Sequence, residues 1–228
     1  MKKLILAIAL LASLPAFSQQ KDFGVWSSAE LGYEIIDNLD VSVSPELRWD
    51  QNVTRLRNRQ IDFKAKYKLP SDIFFVAAYR VGGIQRNSGW QERKRIQMGG
   101  GVKYKINDFV GTFTTRFQRA VTERTRTRDA DLNTNWRNKF AITYKGIKKF
   151  DLGISYEFFH GTQEGEFLDW QDWRFVIDGE YRINKRNFIS AGFLVQNEFQ
   201  IGVDQRDRVL FFGYRHEIKR ASSKDKKK

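Results

Sequence analysis

The chain of 228 residues has no cysteine. That excludes a disulfide framework and any metal site built on thiolates, so stability has to come from strand pairing and burial. Histidine is nearly as scarce, with only His160 and His216. Neither stands with a serine in a motif diagnostic of nucleophilic catalysis. Long apolar runs are missing beyond residue 18, where nothing approaches the ~20 apolar residues of a spanning helix. A glycine-rich phosphate cradle is absent too; Gly99-Gly100-Gly101 lies inside an alternating segment, where it eases sheet curvature. The carboxylates Glu164, Glu166, Asp169 and Asp172 have no calcium-loop spacing, so no metal or cofactor is expected.

The net charge of +13 raises nucleic acid as a partner. No nucleic-acid motif accompanies it, and the chain begins with an export signal, so no nucleic-acid partner is expected. Lys2 and Lys3 are followed by the apolar run from Leu4 to Leu14. Ala16-Phe17-Ser18 then places small residues where a signal peptidase reads. The expected organisation is a cleaved signal peptide at 1–18, a barrel at 19–220, and a basic disordered tail at 221–228.

What remains alternates. Val41, Val43, Pro45, Leu47 and Trp49 oppose Ser42, Ser44, Glu46, Arg48 and Asp50. Ile61, Phe63, Ala65 and Tyr67 oppose Asp62, Lys64 and Lys66, and similar segments follow to the end of the chain. Period-two alternation marks strands. Eleven candidates fall near 22–35, 40–51, 59–69, 73–82, 95–106, 109–121, 136–145, 150–160, 171–183, 188–200 and 208–219. Most have ten or more residues, where soluble strands average ~5–6 and tilted membrane strands need ~9–11. The pattern predicts an all-β protein: a transmembrane antiparallel β-barrel of about 10–12 strands in the outer membrane of a Gram-negative bacterium.

Short turns at 37–38, 70–72, 107–108, 146–148 and 184–187 alternate with polar connections at 52–58, 83–94, 122–135, 161–170 and 201–207. Tyr33, Tyr67, Tyr104, Tyr144 and Tyr181 each stand just before a short turn, as an aromatic girdle would. Trp170 and Trp173 suit a second girdle. Eleven strands would bring the first and last strands together in parallel, whereas bacterial barrels usually have even counts. Three resolutions follow: the segment from Phe23 to Ile35 plugs the lumen, a twelfth strand is hidden in a loop, or the count is odd. An even barrel is the expectation.

Arg and Lys on the lipid face cost ~2–4 kcal/mol each near the midplane, so the charged parity points inward. Glu46, Arg48, Asp62, Lys64, Arg80, Arg116, Asp178, Glu180 and Arg182 are the expected lumen network, with Arg137, Lys139, Glu157 and Arg174 on the same polar face. They either pair and close the pore or line a narrow path for anions or small polar solutes. In the loops, Arg55, Arg57, Arg93, Arg95, Arg124, Arg126 and Arg128 are candidates to hold lipopolysaccharide phosphates or another anion, because guanidinium forks suit phosphate. The expected partners are outer-membrane lipid, lipopolysaccharide and the barrel-assembly machinery during insertion.

Four short stretches carry a family likeness: Phe23-Gly24-Val25-Trp26, Glu46-Leu47-Arg48-Trp49-Asp50, Ala77-Ala78-Tyr79-Arg80 and Gly213-Tyr214-Arg215. Together they resemble the uncharacterised outer-membrane barrels grouped as domain of unknown function 2490, over nearly the whole mature chain. The resemblance implies a Gram-negative outer-membrane barrel with no assigned activity and no catalytic set. The basic end from Lys219 to Lys228 departs from the usual aromatic barrel ending. Two other readings stay open. One is an outer-membrane lipid-modifying hydrolase, in which Ser155 and His160 would fall on opposite faces by parity. The other is a soluble periplasmic β-protein binding a lipid or small ligand.

Overall fold

In a computed structural model of the chain the described residues are 21–87, 89–123, 130–163, 166–198 and 205–220. The predicted signal peptide and the tail at 221–228 lie outside them. Eleven strands occupy the described residues: β1 (Lys21–Ile36), β2 (Leu39–Asp50), β3 (Arg55–Lys68), β4 (Ile73–Arg86), β5 (Gly89–Ile106), β6 (Phe109–Glu123), β7 (Ala130–Ile147), β8 (Phe150–Gln163), β9 (Glu166–Arg182), β10 (Asn187–Glu198) and β11 (Gln205–Ile218). They run from 12 residues in β2 and β10 to 18 in β5 and β7.

Each strand pairs with its chain neighbours in antiparallel register, and β1 closes the sheet on β11. That closing pair is parallel, from Lys21 opposite Arg206 to Tyr33 opposite Ile218. An up-and-down chain of eleven strands points its first and last strands the same way, so closure leaves no other pairing. The expected even count is corrected here. Of the three resolutions the odd count holds, and the segment from Phe23 to Ile35 is a wall strand, not a plug. It is hydrogen-bonded on both sides, to β2 and β11. The gain is that no backbone edge is left without partners, which hydrocarbon would penalise.

Alternation resolves into two faces. Phe63, Phe75, Ile96, Met98, Phe140 and Phe212 point outward and are exposed, Met98 to 61%. In β4 the next residues along, Phe74 and Val76, turn inward and are 5% and 7% exposed. An exterior carpeted with large apolar side chains is the lipid-facing surface of a membrane barrel. No helix among the described residues is long and apolar enough to cross a membrane.

The predicted short turns at 37–38, 70–72 and 107–108 fall where expected, while those at 146–148 and 184–187 move to 148–149 and 183–186; Asn38, Asp72, Asn107 and Lys149 take left-handed backbone in the observed turns. Asn and Asp tolerate that conformation best among residues with a side chain. The predicted long loops are corrected. β4 reaches Arg86 and β5 begins at Gly89, while β7, β8 and β9 extend through most of 130–170. The turn after β2 covers 51–54, where Gln51, Asn52 and Val53 all have positive φ. Asp22 holds it, its carboxylate accepting the Gln51 and Asn52 amides at 3.0 and 3.1 Å.

The triple glycine has a steric role. A Cβ at Gly99 would stand 2.1 Å from the Thr115 carbonyl oxygen, and one at Gly101 would stand 2.6 Å from the Phe74 ring. Both glycines face inward on β5 and let β6 and the Phe74 ring close over the strand.

Candidate functional site

Parity and register bring the inward side chains of all eleven strands into one lumen. Three groups of ion pairs line it. On β2–β4, Arg48 bonds Glu46, Gln60 donates to Glu46 at 2.6 Å, and Arg80 grips Asp62 directly across the strand pair, with Nε to Oδ1 at 2.6 Å. Lys64 reaches across β2 to Glu30 of β1 at 2.8 Å.

The second group centres on Glu157 of β8. Arg137 of β7 donates to both of its oxygens, at 2.8 and 2.9 Å from Nη2, and also to Gln118 at 3.2 Å. Arg174 of β9 approaches Glu157 at 3.5 Å and spends its other edge on Gln196, at 2.6 Å. Lys139 stands opposite Glu157 in register. The third group lies toward the tyrosine-bearing end: Arg215 bonds Glu180 at 2.7 Å and Glu217 at 3.1 Å, and Lys68 bonds Asp40 at 2.6 Å. Asp178 lies against Gly153 of β8, and Arg182 lies 5.9 Å from the Phe188 ring.

Trp26 of β1 ties the first two groups together. The Arg48 guanidinium sits 3.7 Å from its ring centre and the Arg174 guanidinium 5.4 Å from it. β2 adjoins β1 on one side, while β9 is three strands away on the other. Side chains from both therefore meet over one ring, a constriction built from two cations and an indole.

Arg93 and Arg95, expected in a loop, are corrected to inward positions on β5. The charges that bear most on Arg95 are Arg80, Arg137, Arg48 and Arg93, all cationic. Those that bear most on Arg93 are Arg48, Arg80, Arg86 and Arg57. Gln97, with its amide oxygen turned toward Arg95, accepts from Nε at 3.0 Å. Charge alone does not separate the two settings, because a lumen-facing strand accepts the same residues as a loop.

Arg55 and Arg57 do lie at the rim where β3 begins. Arg55 forks onto Asp50 at 2.9 and 2.7 Å and Arg57 lies 3.5 Å from the same carboxylate, so an internal acid already occupies them. Arg124, Arg126 and Arg128 lie outside the described residues. Tyr33, Tyr67, Tyr104, Tyr144 and Tyr181 all face outward at one end of the barrel, Tyr104 70% exposed and Tyr144 packed on Phe109 at 5.0 Å. Tyr214 of β11 joins them, its hydroxyl 2.6 Å from Asn187. It was missed because no turn follows the last strand. At the other end Trp173 stacks on Tyr156 at 5.7 Å; the Trp170 side chain lies outside the described ones.

A cavity of about 260 Å³ opens beside the Glu157 group. Arg116, Arg137 and Lys139 form one side of it, and Trp26, Leu194 and Phe211 the other. Ser155 and His160 do not meet in it: Ser155 points inward, while His160 sits outward opposite Trp136. His216 is also outward, with Nδ1 2.7 Å from Asn187 Oδ1. Among the described residues no group of three His, Cys, Asp or Glu side chains gathers as a metal site would.

An apolar exterior around an ionised, partly filled interior defines a transmembrane β-barrel. The match of residues 23–207 to a family model identifies it further: the chain belongs to the family described as protein of unknown function (DUF2490). A solved structure of similar fold is the NanC porin in a rhombohedral crystal form, at 10% identity and a TM-score of 0.50, covering 86% of this chain and 99% of that one. No curated protein matches the chain.

Proposed function

We propose that the protein resides in the outer membrane of a Gram-negative bacterium and forms a narrow, anion-preferring channel without enzymatic activity. The apolar exterior, the porin-like fold and the export signal at residues 1–18 support the location. One observation carries the preference for anions. Around the constriction the inward cations Arg48, Arg80, Arg93, Arg95, Arg116, Arg137, Lys139 and Arg174 outnumber the carboxylates among them, Glu46, Asp62, Glu157, Asp172 and Asp178. Paired charges alone would leave a neutral filling; this stretch keeps an excess of cations. Fixed positive charge on low-dielectric walls concentrates counter-ions and repels cations. The opposed faces of Ser155 and His160 favour a channel over a hydrolase. Lipopolysaccharide is the outer-leaflet neighbour in this reading, and insertion runs through the barrel-assembly machinery.

The test is planar-bilayer recording of the refolded protein across a potassium chloride gradient. The reversal potential is expected to lie toward the chloride equilibrium potential. A reversal potential toward potassium would overturn the anion preference, and no conductance from protein that shifts on heating in a gel, as folded barrels do, would leave a closed scaffold instead.

A further inference from the structure

The inner wall carries a feature that an anion path does not require. Val176 of β9, Leu194 of β10 and Val209 of β11 are successive neighbours in register, and Phe211 stands beside Trp26 of β1 in the next row. Leu194 and Val209 are buried, and the Phe211 ring lies across Gly192, where a Cβ would come within 2.4 Å of it. Apolar residues thus line one side of the lumen over four adjacent strands. The opposite side of the same cavity is cationic. Arg116 and Arg137 face each other directly across β6 and β7, a like-charge pair that is unfavourable unless an anion lies between or beside the two. Arg137 is satisfied by Glu157, whereas the buried Nε of Arg116 has no hydrogen-bond partner.

We infer that this cavity is a saturable site for small carboxylates that carry an apolar body, of the aryl or short-acyl type. The carboxylate lies against Arg116, with Arg137 and Lys139 beside it. The apolar body lies on Leu194, Val176 and Phe211. A dry cavity of ~150 Å³ is large enough for benzene, so about 260 Å³ accommodates a ring with its carboxylate. This inference rests on the channel reading for its biological use, but the site itself is testable without conductance.

The probes are phenylacetate and acetate, equal in charge and different in apolar area. Each is titrated into the full refolded barrel in micelles, with tryptophan fluorescence read against a Trp26→Phe control. Phenylacetate is expected to bind at least ~10-fold more tightly than acetate, since burying an apolar ring contributes more than one decade in affinity. Leu194→Asn, and the milder Val176→Thr if the first fails to fold, bring phenylacetate down toward acetate. Arg116→Gln weakens both. Equal binding of the two probes, or a preference untouched by Val176→Thr and Leu194→Asn, overturns the inference. Chloride selectivity is recorded separately on the same preparations. Loss of selectivity with the probe preference intact refutes the channel and leaves the site standing; the reverse result does the opposite.

Discussion

Replacing Glu157 by glutamine tests the centre of the lumen most directly. The carboxylate is 8% exposed, and its partners Arg137 and Arg174 are 12% and 16% exposed, so water screens these pairs little. Both oxygens are occupied: Oε1 takes Arg137 Nε and Nη2 at 3.2 and 2.8 Å, and Oε2 takes Nη2 at 2.9 Å. Breaking a buried pair by removing one partner costs ~3–5 kcal/mol, mostly because the other charge is stranded. Glutamine keeps one carbonyl acceptor, which offsets about 1 kcal/mol. The expected loss is therefore ~2–4 kcal/mol, read as a lower urea midpoint for the barrel refolded into lipid vesicles. Arg137→Gln in the same background should recover part of it, a coupling of ~0.5–3 kcal/mol. Arg174→Gln should recover less, because Arg174 holds Glu157 only at 3.5 Å and keeps Gln196 as a second partner. The same substitution removes the carboxylate that Arg137 and Arg174 share, so chloride selectivity should rise as stability falls. An unchanged midpoint together with unchanged selectivity would refute the assignment of Glu157 as the counter-charge of this group.

Other substitutions probe the wall. Met98→Arg, midway along β5 on the lipid face, should cost ~2–4 kcal/mol in vesicles, while Lys103→Arg on the inward face should be nearly neutral; equal effects on refolding would contradict the assignment of faces. Gly101→Val should destabilise by ~1–3 kcal/mol, because its Cβ meets the Phe113 carbonyl oxygen at 2.4 Å and the Phe74 ring at 2.6 Å, and a midpoint like that of the parent protein would mean that β6 does not close over β5 there. Ala29→Cys with Tyr214→Cys, in a chain that has no cysteine of its own, should crosslink under mild oxidation and alter migration on a non-reducing gel. Failure to crosslink, with the control pair Val43→Cys and Phe63→Cys succeeding across β2 and β3, would count against parallel closure.

Faces were legible in the sequence because a strand's period is two and lipid punishes charge: the parity of Asp62, Lys64 and Lys66 against Ile61, Phe63 and Tyr67 already separates interior from exterior. Strand ends were not. At the tyrosine end, Asn, Asp and Pro punctuate the chain and the turns were placed within a few residues. At the other end the strands run on into segments such as Gln91 to Arg95, whose charge reads as loop although the residues face a polar lumen. Hydropathy distinguishes lipid from everything else, and it cannot separate bulk water from a wet barrel interior. Closure was half legible. Eleven alternating segments dictate a parallel seam between β1 and β11, and the usual even count argued against the answer that strand direction required.

Partnership across the lumen lay beyond the sequence altogether. Nothing local to Trp26 announces that Arg48 and Arg174 meet over its ring, since they come from strands separated by more than a hundred residues. The same holds for the apolar ladder of Val176, Leu194 and Val209. On each strand the residue interrupts a parity that is otherwise mixed with polar and charged residues, and the three become a surface only when register sets them side by side. Function in such a barrel therefore resides in coincidences of register. A one-residue slip of β10 would turn Leu194 to lipid and Phe193 into the lumen, abolishing the amphipathic cavity while leaving the composition unchanged.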